Sequence, residues 1–258
     1  MSKRYEHILS YDPFNFQKQG TRPRQEDSFG TLNAGDVKLI KEQGLLAVVA
    51  DGIGGLRDGK GASSLTLDIL RTDFTQYDRS RHLGVQLAES IMRAGQKVFQ
   101  TYQTESGSTV VAAILYDEKL YFASVGDSTI WLVRNQEVIR LNEPHNMRFR
   151  IYRHTISCGS ADPFEGRNNS EEHKLTEYIG SEEVHAIDMN YRPLLLQDGD
   201  VLILCSDGVG DVLTDEEVLY CLKGRNSQQA CAMMDSMIEN KQRQHQDNYT
   251  AIIIRCVI

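Results

Sequence analysis

The stretch LLAVVADGIGG, Leu45–Gly55, decides how this chain is read. Six apolar residues following a glycine are the pattern of a strand buried on both faces. The run stops at Asp51. A carboxylate buried at the end of such a strand is costly unless a partner charge or a metal compensates it. Glycines at 52, 54 and 55 let the backbone turn close to whatever Asp51 holds. Asp-Gly is also an ordinary turn pair, so this copy alone supports a plain turn as readily as a site.

The device recurs. VLILCSDGVGD, Val201–Asp211, is a second apolar run and ends at Asp207-Gly208; LYFASVGDS, from Leu120, is a weaker third that ends at Asp127. A fourth is reversed, with Asp247-Asn248 standing just before YTAIIIR, Tyr249–Arg255. In an antiparallel sheet, an acid after one strand and an acid before its neighbour lie at the same edge. Carboxylates gathered there repel one another and call for hard cations with oxygen ligands. The constellation points to a metal site where no single member does.

Bulk properties set the outer limits. The 258 residues suffice for one domain with a full core, and a single domain over 1–258 is expected. A formal charge of −8 argues against a nucleic-acid binder, which normally presents a basic face. No apolar run approaches the roughly 18 residues of a membrane span, and MSKRYEHILSYD lacks the apolar core of a signal peptide. Five cysteines, at 158, 205, 221, 231 and 256, form no C-x-x-C pair; Cys205 and Cys256 lie in apolar runs, as buried thiols of a reducing compartment do. A cytoplasmic protein is expected.

Along the chain, residues 5–12 suit a first strand, Gln17–Asp27 a polar loop, Ser28–Leu32 a short strand and Val37–Gly44 a hairpin connection. Beyond Gly55 a glycine-rich loop turns helical near Ser63, with Leu65, Ile69, Leu70 and Phe74 on one side. Leu87, Ile91, Ala94, Val98 and Tyr102 give Leu83–Gln103 the stripe of an amphipathic helix, more plainly core than cofactor box. From Ser108 to Leu141, four strands joined at Asp117-Glu118, Gly126-Asp127 and Asn135-Gln136 read as an antiparallel meander, with Trp131 packed in it. Asn142–Asp188 is polar and without period, the mark of a functional loop, with a short helix suggested at Lys174–Gly180. Its histidines, 145, 154, 173 and 185, have no metal-ligand spacing and read as surface residues. Thr214–Glu217 is a capping box, Ser227 a cap for the next helix, and Ala230, Met233, Met234, Met237 and Ile238 that helix's buried stripe. Antiparallel sheets covered by helices follow, an α+β layered domain.

Divalent cations held by such acids lower the pKa of a shared water towards neutrality. The natural targets of that nucleophile are phosphate esters, and Arg22, four residues before Glu26, suits a bidentate grip on phosphate.

Taken in order, GTRPRQED, VVADGIGG, GSTVVAAIL, FASVGDS, LILCSDGVGD and QDNYTAIII resemble the motif series of the metal-dependent, type 2C-like Ser/Thr protein phosphatases, in their bacterial form. The resemblance spans roughly Tyr11 to Arg255, and six motifs in order make it specific. It implies a four-layer αββα sandwich, two antiparallel sheets flanked by helices, with a centre of two Mn2+ or Mg2+ ions. Asp51 would bridge the metals and the Gly52 carbonyl would bind one; Asp207 and Asp247 would hold the other. Glu26 and Asp27 would support the site, Arg22 would hold the substrate phosphate, and Asp127 with Asp207 would add a third, weaker metal position. Asn248 would orient Asp247, with Asp211 a further acid nearby. Residues 142–190 would form the variable flap, and phosphoproteins made by a Ser/Thr kinase would be the substrates.

The departures are specific. Animal members carry a histidine after the Asp-Gly as acid for the leaving group; here Ile53 stands there, so a water of the metal centre or a flap residue must take that role. Pro144-His145-Asn146 replaces the family's Asp-His-Ser, and Gln25 its common asparagine. The alternative from another class is a phosphatase-like binding module that recognises a phosphorylated regulatory partner without turnover. Loss of Asp51, Asp207 or Asp247 would favour it, and all three are present. A small phosphoester or phosphotyrosine is a further substrate for the same centre.

Overall fold

Every long apolar run becomes a strand in the computed structural model, which describes residues 9–159 and 171–258. The chain opens with β1 (Ser10–Lys18) and β2 (Ser28–Leu32), then α1 (Val37–Gln43), β3 (Leu45–Ala50) and the long helices α2 (Gly59–Phe74) and α3 (Leu83–Tyr102). Four strands follow, β4 (Val110–Tyr116), β5 (Lys119–Val125), β6 (Thr129–Arg134) and β7 (Glu137–Arg140), and then α4 (Met147–Ser157). Short strands β8 (Asp188–Met189) and β9 (Leu194–Leu195) lead to β10 (Val201–Cys205) and the single turn α5 (Asp207–Gly210). Helices α6 (Asp215–Leu222) and α7 (Ser227–Asn240) precede the closing strand β11 (Tyr249–Val257).

The strands form two antiparallel sheets, ordered β1-β11-β10-β6-β7 and β2-β3-β4-β5-β8, with β9 also paired to β5. Side chains alternate across each central strand, and both sides are filled. Leu45, Ala47 and Val49 of β3 meet Leu202, Leu204, Ile252 and Ile254 of the other sheet in the middle layer. Leu46 and Val48 face α2 and α3, while Ile203 and Cys205 face α6 and α7. The four-layer αββα sandwich is therefore dictated by strands apolar on both faces, each face needing its own cover.

Several local expectations are corrected. The four strands after Ser108 are not one meander: β4–β5 and β6–β7 are hairpins in different sheets. Asp117, Glu118, Asn135 and Gln136 all take the positive φ that a tight hairpin turn demands. The third pair, Gly126-Asp127, instead carries the chain across from one sheet to the other. Trp131 is a residue of β6, paired with Ile203 of β10 and Arg140 of β7, and its ring packs under α6 and α7. Val37–Gln43 is a helix, capped by Asp36 Oδ1 accepting from Lys38 N and Leu39 N and closed at Gly44. In α7 the N-cap is Asn226, and Ser227 donates its hydroxyl to Asp12 O of β1 at 2.6 Å. The first strand starts at Ser10 and runs on to Lys18, paired with β11 along its length; residues 5–8 lie outside the described set.

The expected flap contains α4, capped by Asn146, and Lys174–Gly180 is a ribbon rather than a helix. Leu175 bridges to Asn146, and buried Ile179 bridges to Ser108. His145 is half-buried, with Nδ1 accepting from Gly126 N, and burial lowers its pKa; it is a structural residue, not a surface one. No helix among the described residues is long and apolar enough to cross a membrane.

Candidate metal centre and active site

Antiparallel pairing of β10 with β11 sets Cys205 opposite Ala251, so the end of one strand and the start of the next share an edge. Asp207 and Asp247 project from that edge; Asp51, after β3, and Asp127, at the crossover, come from the other sheet. These acids and Glu26 line one cavity of about 440 Å³, together with Arg22, Gly52 and Asn248. Asp27 is buried just behind. The residues expected to hold metal and phosphate thus lie in or beside one place.

Each acid is held by local structure. Asp51 is fixed through its backbone, whose carbonyl accepts from Thr109 N at 2.8 Å and from the Ser108 hydroxyl at 2.9 Å. Gly52 packs so closely on the backbone of Gly59, at the start of α2, that a Cβ there would overlap it. Gly208 is equally confined by the Asn248 carbonyl. Asp27 Oδ2 accepts from the hydroxyls of Thr250 at 2.6 Å and Ser206 at 3.0 Å. Arg140 holds the backbone carbonyl of Asp127 at 3.0 Å.

Arg22 and Glu26 stand on an irregular loop, and Asn248 pins it. The Asn248 amide donates to Gln19 O at 2.7 Å and Arg24 O at 2.9 Å and accepts from Glu26 N at 2.7 Å. Asn248 therefore orders the arginine loop with its side chain and touches the Asp247 carboxylate only through its backbone N–H, at 2.8 Å. The expected orientation of Asp247 by this residue thus runs through its backbone, not its side chain. Arg22 Nη2 pairs with Asp247 Oδ2 at 2.5 Å, and about half of the arginine side chain is open to the cavity.

The electrostatics are those of crowded acids. Asp51 is pushed well above the usual carboxylate range, first by burial, then by Asp27, Asp207 and Asp127. Asp207 is pushed up to about 8 by burial and then by Asp127, Asp247 and Asp211. Asp127 rises to about 6, through burial and Asp211. Asp27 is raised by burial, against the pull of the Thr250 hydroxyl. Two buried oxygens, Asp27 Oδ1 and Asp207 Oδ1, have no hydrogen-bond partner. Orphaned carboxylate oxygens among mutually repelling acids are a donor set that fits hard divalent cations. Among the described residues no three His, Cys, Asp or Glu side chains already close around a single point.

Sequence reasoning missed three kinds of residue. Thr109, Ser206 and Thr250 lie inside the quoted motifs, but their hydroxyl contacts need the fold. Lys60 Nζ, which donates to Asp27 O at 2.6 Å, carries no sequence signal. His173, Lys174, Leu175 and Tyr178 line the cavity from the flap, brought there by the ribbon's bridges to α4 and to Ser108.

A two-sheet sandwich with an acid cluster and an arginine at one end defines a class of phosphate-ester hydrolases. The chain belongs to the protein phosphatase 2C family, whose profile matches residues 24–247. It is similar to a putative protein phosphatase 2C-type protein of Streptococcus pyogenes, 28% identical over 200 residues that cover 74% of this chain and 78% of that one. A serine/threonine phosphatase of Listeria innocua is 26% identical over 222 residues, 83% of each chain. Among solved structures, the serine/threonine phosphatase of S. agalactiae superposes with a TM-score of 0.79 at 23% identity, covering 97% of this chain and 100% of that one. The catalytic domain of the phosphatase PstP, solved in complex with 2 manganese ions, has a TM-score of 0.76 at 21% identity, covering 97% and 100%.

Proposed function

We propose that this protein hydrolyses phosphoserine and phosphothreonine in proteins, using two Mn2+ or Mg2+ ions. The observation that carries the proposal is the cavity itself, with five carboxylates on its walls and buried acid oxygens left without partners. Asp51 and the Gly52 carbonyl, with Asp207 and Asp247, would hold the ions; Glu26 and Asp27 would support them, and Asp127 with Asp207 would offer a third position. Bound there, the ions supply a water of lowered pKa and positive charge for the phosphate oxygens.

The chain's own residues do the rest. Arg22 grips the non-bridging oxygens in a bidentate way, exchanging the Asp247 carboxylate for phosphate. Asn248 keeps the arginine loop in register, and the Ser206 and Thr250 hydroxyls fix Asp27. The names of the curated relatives and the two manganese ions of the PstP structure support this reading. Substrates would be proteins phosphorylated by a Ser/Thr kinase. Four buried free thiols, at 205, 221, 231 and 256, fit a reducing compartment such as the cytoplasm.

The test is hydrolysis of a phosphothreonine peptide by purified protein in EDTA, then with Mn2+ or Mg2+ restored. Turnover that appears only with metal is expected. Two bound metals by calorimetry with no turnover would replace the enzyme by a binding module.

A further inference from the structure

The leaving oxygen of a phosphoserine or phosphothreonine needs a proton, and Ile53 cannot give one. If the acids and Arg22 take the non-bridging oxygens at the floor of the cavity, the bridging oxygen faces its mouth. A donor supplied by the chain itself, rather than by a water of the metal centre, would then come from the side on which the flap lies. Three donors reach the cavity from there: His173, Lys174 and Tyr178. Of the three, His173 stands beside an acid that can orient it, Asp211.

The segment that carries His173 is anchored on both flanks. Arg148 N donates to Glu172 O and Met147 N to Lys174 O, each at 2.9 Å, so the first turn of α4 clasps the two neighbours of His173. Farther along, Ile179 is bonded to Ser108, the residue whose hydroxyl also holds the Asp51 carbonyl. The His173 ring lies at the end of α5, with Nδ1 3.8 Å from Oδ2 of its C-cap Asp211. That contact becomes an ion pair when the imidazole is protonated, and it engages Nδ1 rather than Nε2.

We propose that His173 is the general acid for the leaving group, oriented by Asp211. The assignment rests on the phosphatase reading above. In the step, a water oxygen forms the bond to phosphorus and gives up one proton to solvent. The bond between phosphorus and the serine or threonine Oγ breaks, and its electron pair stays on Oγ. Oγ takes the proton from His173 Nε2, and the imidazole recovers a proton from solvent. Water and phosphomonoester thus become alcohol and inorganic phosphate. His173 would perform from the flap the task that a histidine beside the metals performs in animal members.

Leaving-group dependence tests this. His173→Gln removes the acid from an exposed position where folding is not at stake. Its kcat on a phosphothreonine peptide should fall about a hundredfold or more. Turnover of 4-nitrophenyl phosphate should stay near wild type, because 4-nitrophenolate leaves without a proton. The Mn2+ isotherm should not change. Equal losses on both substrates, or none on either, would overturn the assignment. So would a peptide-selective loss in Lys174→Met or Tyr178→Phe but not in His173→Gln. A wild-type protein that hydrolyses neither substrate would instead bring down the phosphatase reading, and this assignment with it.

Discussion

Replacing Asp207 by asparagine should stabilise the metal-free protein, and by an amount that depends on pH. The carboxyl has a pKa of about 8 in the folded chain against a reference value of 3.8, chiefly through burial and then through Asp127 and Asp247. Between those values the folded protein keeps a proton that the unfolded chain has released. A group raised in this way contributes stability that is complete below its unfolded pKa and is lost as pH rises towards the folded one. Taken at face value the loss at pH 7 is about 4 kcal/mol, and screening by water in the open cavity brings it to roughly 2–4 kcal/mol. For a chain of this length that corresponds to about 5–15 °C in Tm. Asparagine has the shape of the protonated acid and can donate to the neighbouring carboxylates, so it escapes the loss. Thermal unfolding in EDTA should give nearly coincident midpoints for the two proteins below about pH 4, with the variant higher at pH 7.5. Saturating Mn2+ should close most of that gap. At a hundred times Kd the wild type gains about 2.7 kcal/mol, and the variant, short of a ligand, gains much less. An Asp207→Asn protein no more stable than wild type in EDTA at pH 7.5 would refute the claim that repulsion among these acids is stored in the fold.

Other perturbations separate the remaining roles. Asp51→Ala should abolish both metal-dependent activity and the Mn2+-induced rise in Tm while the far-UV spectrum is kept; an active variant would sink the mechanism. Arg22→Ala should raise KM for a phosphopeptide with little change in Tm, because an exposed ion pair contributes under about 1 kcal/mol; an unchanged KM would remove arginine from phosphate binding. Asn248→Ala deletes three side-chain hydrogen bonds to the arginine loop. At about 1 kcal/mol each, the cost should be near 3 kcal/mol in denaturant titrations, and KM should rise with it. Gly208→Ala forces a Cβ against the Asn248 carbonyl and should destabilise by about 1–3 kcal/mol; a neutral result would mean that the α5 turn can move away from β11.

Much of this was legible in the sequence because its strongest signals are also its most buried. LLAVVA and VLILC carry no polar face, so no arrangement but a middle layer with helices outside could hide both sides of each. The strand-end acids were legible for the related reason that a carboxylate after such a run has no other ready explanation. Connectivity was harder. Asp117-Glu118 and Gly126-Asp127 look alike as turn pairs, yet one closes a hairpin and the other changes sheets, a choice made by distant packing. The flap was least legible. In α4 only Thr155 is buried, so no apolar stripe announces a helix there, and the ribbon after it is held by backbone bonds that no side chain records.

The same contrast divides the labour of the site. Carboxylates that must stay close despite repulsion are set on the ends of central strands, where register and a fully buried middle layer prevent them from retreating. The groups proposed to meet the substrate sit on segments held by hydrogen bonds: Arg22 on a loop tied by Asn248 and by Thr21 to Gln246 O, His173 on a ribbon clasped by the first turn of a helix. A rigid frame can store repulsion that bound cations relieve, but an arginine that exchanges a carboxylate for phosphate needs a support that yields.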